Sequence, residues 1–208
     1  MGPPRGAHPV EAPFKRTSIN ETISGIYIVE IATVSPAPDV ELHNTNGLID
    51  TTLFFQGGLP RRVGVRAQST NGEIRLAFPE QQHAQHLDIR VENVNGATHL
   101  ALPETYKGYL RLTSTNGHLE LGDSLKKNSK ALPGDSSKDI IYYISPSSSS
   151  SAMFSEDEKM DLTELDDNCH CSSVSGQIRV VYYGNMDDAE LESSAWSRRQ
   201  SRDCCVVA

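Results

Sequence analysis

The chain contains no run of 18 apolar residues, a single tryptophan and only four cysteines, and each scarcity removes a class of protein. Without an apolar run of that length, no helix is expected to cross a membrane. The cysteines form two close pairs, Cys169/Cys171 and Cys204/Cys205, in the last fifth of the chain. That is not the spacing of a disulfide framework, and it points to a cytosolic setting. Residues 1–16 are rich in proline and charge and lack an apolar segment, so no secretory signal is expected. A basic surplus is missing too. The net charge is −8, and between Glu156 and Asp167 seven carboxylates stand against Lys159 alone, which argues against nucleic acid as a partner. No phosphate-cradling G-x-x-x-x-G-K-[ST] loop occurs, and no cofactor is expected.

What the sequence does have is one figure written several times. Val65 to Phe78 consists of two short alternating runs joined at Asn71-Gly72. Alternation marks half-buried strands, and Asn-Gly, which readily takes positive φ, marks a corner or tight reversal between them. The figure recurs at Asn46-Gly47, Asn95-Gly96, Asn116-Gly117 and Ser175-Gly176, with a weaker copy at Ser24-Gly25. Successive glycines from Gly25 to Gly117 stand 22, 25, 24 and 21 residues apart, the mark of a repeated supersecondary unit.

Alignment on Gly47, Gly72, Gly96, Gly117 and Gly176 puts apolar or small residues at fixed offsets. Two after the glycine come Ile49, Ile74, Thr98, Leu119 and Ile178, and four after come Thr51, Leu76, Leu100, Leu121 and Val180. Seven before come Val40, Val65, Ile89, Leu110 and Cys169, and five before come Leu42, Ala67, Val91, Leu112 and Cys171. Charged residues such as Arg66, Arg75, Arg90, Arg111 and Arg179 fill the positions between, which suits solvent. The expectation is an all-β fold, a short β-solenoid of about five to six coils, in which equivalent strands stack in parallel. The alternative is an antiparallel meander or sandwich of hairpins, in which the strands flanking each glycine pair with each other.

Organisation follows from composition. Residues 1–20 read as a disordered lead-in, 21–184 as the β-repeat domain, and 185–208 as a linker and tail. The first strand is expected to bury Tyr27, Val29 and Ile31, and Asp139–Ile144 reads as an additional strand. Residues 145–168, with five serines from Ser147 to Ser151 and the acidic cluster, read as a disordered insertion. Within it, Ser155 before Glu156, Asp157 and Glu158 is a phosphorylation candidate. Asp187 with Glu190 could open a short helix toward Trp196. The Asn20-Glu21-Thr22 sequon is read as chance.

Cys169-His170-Cys171 looks like half of a metal site, but both cysteines occupy core-facing offsets, so they are read as small buried hydrophobes. His83, His86, His99 and His118, with Asp88 and Glu120, are the candidates for acid–base work, and no pair among them is identifiable, so catalysis is not expected.

The chain ends Cys204-Cys205-Val206-Val207-Ala208. Cys205 to Ala208 fits C-a-a-X, and a terminal alanine points to farnesyl on Cys205. One prenyl chain anchors marginally, so a palmitoyl group on Cys204 and the cations Arg198, Arg199 and Arg202 against anionic lipid would supply the second signal. This tail resembles the prenylated tails of small membrane-anchored GTPases, over these last residues alone. The repeats, over about residues 24–183, resemble bacterial adhesin domains with Ser-Gly or Asn-Gly corners and a similar uncharacterised fungal domain. That resemblance implies the β-solenoid and a cell-surface role, from which the Ser/acidic insertion and the lipid tail depart; the repeats, the tail and the lack of a reactive constellation point to binding. Together these point to a non-catalytic binding or scaffold protein on the cytoplasmic face of a membrane, with the membrane surface and an unidentified protein as partners. The alternatives are a cell-surface adhesin-like protein and a polysaccharide-processing enzyme.

Overall fold

The computed structural model describes residues 6–32, 37–57, 61–79, 85–136, 138–145 and 166–184. The architecture is all-β, in two sheets. In chain order the strands are β1 (Ala7–Glu11), β2 (Phe14–Ser18), β3 (Ile23–Glu30), β4 (Val40–Asn44), β5 (Ile49–Gln56), β6 (Arg61–Ser69) and β7 (Ile74–Ala77). They continue as β8 (Gln85–Asn93), β9 (Thr98–Leu102), β10 (Gly108–Ser114) and β11 (Leu119–Leu121). After a short helix, α1 (Asp123–Lys127), come β12 (Ser129–Ser136), β13 (Asp139–Ile144), β14 (Asp167–Ser173) and β15 (Ile178–Tyr182).

From β1 to β11 successive strands go to alternate sheets. One sheet has the order β1-β3-β5-β7-β9-β15-β11 and the other β12-β13-β10-β14-β8-β6-β4-β2. All pairings in the first sheet are parallel. In the second they are parallel from β2 to β10, and only the β12–β13 hairpin adds antiparallel pairs. The two strands flanking each Asn-Gly therefore lie in different sheets, and the hairpin meander is not what forms.

The register is the one the glycine alignment predicts. Ile49, Ile74, Thr98, Ile178 and Leu119 are successive partners in one sheet, and Val40, Val65, Ile89, Cys169 and Leu110 in the other. These columns face each other and form one core, with Leu119 only partly buried. Each fully buried Leu, Ile or Val contributes roughly 1.5–3 kcal/mol by leaving water. Parallel strands are usually covered on both faces; here the outer faces carry the charged residues, so the strands alternate apolar and polar as antiparallel ones do.

Four features depart from the sequence expectations. Residues 7–18 are not a loose lead-in but form β1 and β2, bonded through Ala12 N to Glu30 O (3.1 Å) and Phe14 N to Asp39 O (2.8 Å). They lack apolar periodicity because they close an end of the core. Val10, Ala12 and Phe14 pack on it, while Arg16 takes the register position beside Leu42. Secondly, Ser24-Gly25 is no corner. Gly25 lies inside β3 opposite Thr51, and the first corner is Asn20-Glu21. Thirdly, the segment read as an insertion over 145–168 ends earlier, because Asp167 and Asn168 begin β14. Its central residues, Ser155 among them, lie outside the described residues, as does the 187–196 helix.

The fourth departure is the order of the units. The last corner in sequence, Ser175-Gly176, is not last in space. β14 lies between β8 and β10, and β15 between β9 and β11, so the final unit occupies a slot between the Asn95-Gly96 and Asn116-Gly117 corners. To leave that slot, the β9–β10 connection steps across it, and Tyr106 fills the step: it is fully buried and its hydroxyl donates to Tyr109 O (2.7 Å). Burial pushes its phenol well above the ordinary range. Asp167, also buried, ties both neighbours to the incoming strand by accepting Leu87 N (2.7 Å) and Lys107 N (3.0 Å).

Candidate functional site

The corners form a column along one edge of the molecule. Each corner glycine is required, although not for positive φ, which none of the five adopts. A Cβ on Gly47 would strike Glu21 O. On Gly72 it would strike Gly47 O, on Gly96 Gly72 O, on Gly176 Gly96 O and on Gly117 Gly176 O, in every case inside 3.0 Å. The glycines are there because backbone stacks on backbone.

Sequence reasoning missed the residue that shapes each corner. Three positions before the glycine stands Asn44, Ser69, Asn93, Ser114 or Ser173, and three before Glu21 stands Ser18. Each side chain accepts the N–H of the glycine or Glu21 at 2.8–3.2 Å. These local side-chain bonds fix the turn. The signal was present as Ser or Asn at one offset in every unit. Asn44 and Asn93 also donate to the preceding corner, at Glu21 O (2.8 Å) and Gly72 O (3.0 Å).

Outside this shell runs an exposed amide ladder. Asn46 Nδ2 donates to Asn20 Oδ1 (2.8 Å), Asn71 Nδ2 to Asn46 Oδ1 (2.9 Å) and Asn95 Nδ2 to Asn71 Oδ1 (2.8 Å). Beside it lies a column of β-branched residues, Ile19, Thr45, Thr70, Val94, Val174 and Thr115, in the spatial order of the corners. Ile19, Val94 and Val174 are the large hydrophobics exposed among the described residues.

The outer faces carry charge in register. On the β1–β11 sheet one row reads Asp50, Arg75, His99, Arg179, Glu120 across five strands. Arg75 donates to Glu73 twice (2.6 and 2.9 Å), His99 Nε2 lies 3.3 Å from the same carboxylate, and Gln177 donates to Glu120 (3.0 Å). Partial burial holds the His99 imidazole below its usual range; Glu73 opposes this and Arg75 and Arg179 reinforce it. On the other sheet the row reads Lys15, Glu41, Arg66, Arg90, His170, Arg111. Its acidic partners sit in the same row or the next one: Lys15 with Glu41 (2.8 Å), Arg90 with Glu92 (2.7 Å), and Arg111 with Asp139 (2.9 Å). The bond from Arg111 holds the Asp139 carboxyl low, and burial with Arg111 and Arg90 holds His170 low.

The catalytic candidates do not converge. His99, His118 and Glu120 share one outer face, with Arg179 between His99 and Glu120. His86 lies on the other sheet, 3.7 Å from the Asp167 carboxylate, and Asp88 is on the same strand. His83 lies outside the described residues, as do Cys204, Cys205, Arg198, Arg199 and Arg202. Cys169 and Cys171 are buried on the inner face with sulfurs 3.8 Å apart, and burial pushes the Cys169 thiol well up, as suits core residues. Among the described residues no three His, Cys, Asp or Glu side chains are grouped to hold a metal ion.

Two sheets around one core, with polar ladders outside, define an all-β protein. The chain belongs to the domain of unknown function family DUF7330, whose profile matches residues 30–185. No curated protein and no solved structure matches it.

Proposed function

We propose that this chain is a non-catalytic binding and scaffold module: a short β-solenoid of six coils, held at the cytoplasmic face of a membrane by a farnesylated Cys205. One observation carries the solenoid reading: every coil-to-coil pairing is parallel and the chain alternates between the two sheets, so each corner is stacked on another corner. The binding role is supported by outer faces that present side chains in straight rows at about 4.8 Å spacing. Such faces suit an extended partner, and the resemblance to adhesin repeats agrees with them.

Anchoring rests on the sequence of the tail. The described chain reaches Gly184 on the edge opposite the corners, and 24 residues then lead to Ala208. At up to about 3.3–3.6 Å per residue that tail can reach a bilayer while leaving the domain clear of it. Palmitoylation of Cys204 and the cations Arg198, Arg199 and Arg202 supply the second attachment that one prenyl chain needs.

Fractionation tests this reading. Cys205→Ser should move a tagged full-length chain from membrane to cytosol, and intact mass from the native cell should carry the farnesyl increment. An unmodified mass with unchanged membrane fractionation contradicts the anchor. A polysaccharide-processing enzyme is the second reading, favoured by the His99–Glu73 pair. It requires that purified protein cleave a glycan and that His99→Gln abolish the cleavage.

A further inference from the structure

We propose that Arg16, Glu21 and Lys138 close the ends of the stack against a second copy of this chain, so that the protein is a single finite body rather than a link in a filament. The natural occupant of an open end is another unit, since every unit inside is held by parallel pairing with units like itself. Membrane anchoring would concentrate copies and make such addition a hazard.

At one end the column of corners stops at Glu21. Its backbone is placed like that of the glycines: Glu21 N donates to Ser18 Oγ (3.0 Å), and its carbonyl sits where a Cβ on Gly47 would be. In every later corner the missing Cβ is what admits the carbonyl of the corner before it. Glu21 has a Cβ on that side, so no corner can be laid against it. Arg16 acts on the adjoining strand. It holds the register position of Leu42, Ala67 and Val91 in β4, β6 and β8, and therefore ends an apolar column with a charge on edge strand β2. Arg16 is exposed there, its guanidinium 6.0 Å from the centroid of the Phe14 ring, and a charged residue on an edge strand blunts that edge.

At the other end Thr115 O is the acceptor that a further corner would use. The equivalent carbonyls of Thr45, Thr70, Val94 and Val174 each accept the backbone N–H of the next corner. Thr115 O instead accepts Lys138 Nζ, and Ser114 N donates to Lys138 O, where β13 turns the sheet antiparallel. The remaining edges are blunted by other means: β1 contains Pro9, β11 has three residues, and β12 contains Pro133 and a register shift.

Sedimentation velocity of the full chain over a wide concentration range tests this. The parent is expected to remain monomeric, whereas Arg16→Val/Glu21→Gly, with only the β2 end opened, should associate, its mean mass rising toward about twice the monomer's. Arg66→Val, which adds the same apolar group to an outer face, controls for general stickiness and should stay monomeric. Glu21→Gly alone keeps every backbone bond of its corner. It serves as the second variant if the double one fails to melt cooperatively, and it should associate more than the parent. Association of the parent, a monomeric Arg16→Val/Glu21→Gly that melts cooperatively, or equal association by Arg66→Val overturns the proposal.

Discussion

The two edges of the molecule do the same topological job and obey different rules. At the corner edge the chain crosses in four residues every time, from Ser18 to Ile23, Asn44 to Ile49, Ser69 to Ile74, Asn93 to Thr98, Ser114 to Leu119 and Ser173 to Ile178. At the opposite edge the crossings are irregular, with two residues between β1 and β2, nine between β3 and β4 and five between β9 and β10. The corner edge is fixed because its backbones touch and a side chain closes each turn. The opposite edge is free to vary, and from it leave both the 145–166 connection and the tail.

Breaking the corner edge should have the largest effect. Gly176→Ala, in the middle of the column, forces a Cβ onto Gly96 O and is expected to lose about 3 kcal/mol or more. In a thermal melt that appears as a drop of roughly 6–12 °C for a domain of this size, or as failure to fold. Asp167→Ala leaves the buried N–H of Leu87 and the partly buried N–H of Lys107 without their acceptor, and about 2–3 kcal/mol should disappear from urea unfolding. Ser69→Ala removes one turn-closing acceptor and is expected to lose about 1 kcal/mol, while Thr70→Ala, one residue on and outside that bond, stays near neutral by the same assay.

The pH dependence sharpens the contrast between core and faces. His99 and His170 are held below the ordinary histidine value of about 6.5, so the unfolded chain takes up protons first as pH falls. Their burden on stability is absent above the unfolded value and grows as pH drops through the folded one. The double variant His99→Gln/His170→Gln should therefore show a shallower fall in Tm below about pH 6.5. The smallest effect belongs to the permissive edge: a Gly-Ser insertion between Pro79 and Glu80 should change stability by about 0.5 kcal/mol or less. The same insertion after Asn71 should abolish cooperative folding.

This contrast explains what the sequence disclosed. The inward columns were legible residue by residue, because a period of two with a glycine marker fixes which side chains share a face. The reason for the glycine was misread. Asn71-Gly72 has the composition of a positive-φ turn, and the real requirement, a carbonyl of the preceding unit in the place of a Cβ, involves residues 25 positions away. Residues 7–18 were misread for a related reason, since an end unit needs apolar groups on one side only and Arg16 interrupts the pattern. The intercalated unit was not legible at all: Cys169 pairs with Ile89 and Leu110, and equivalent offsets look the same in whatever order the units stack. The outer rows could be named from the sequence, but which histidine meets which carboxylate depended on that order. His99 reaches Glu73, the residue just before the neighbouring strand β7, rather than Glu120 in its own row.

The stacking order is tested most directly by nuclear Overhauser contacts at the corners in a labelled sample. The account predicts backbone contacts between Val94 and Ser175 and between Val174 and Asn116, following the Ser175 N to Val94 O and Asn116 N to Val174 O bonds, and none between Val94 and Asn116. A direct Val94–Asn116 contact, with Ser175 near neither, would contradict it.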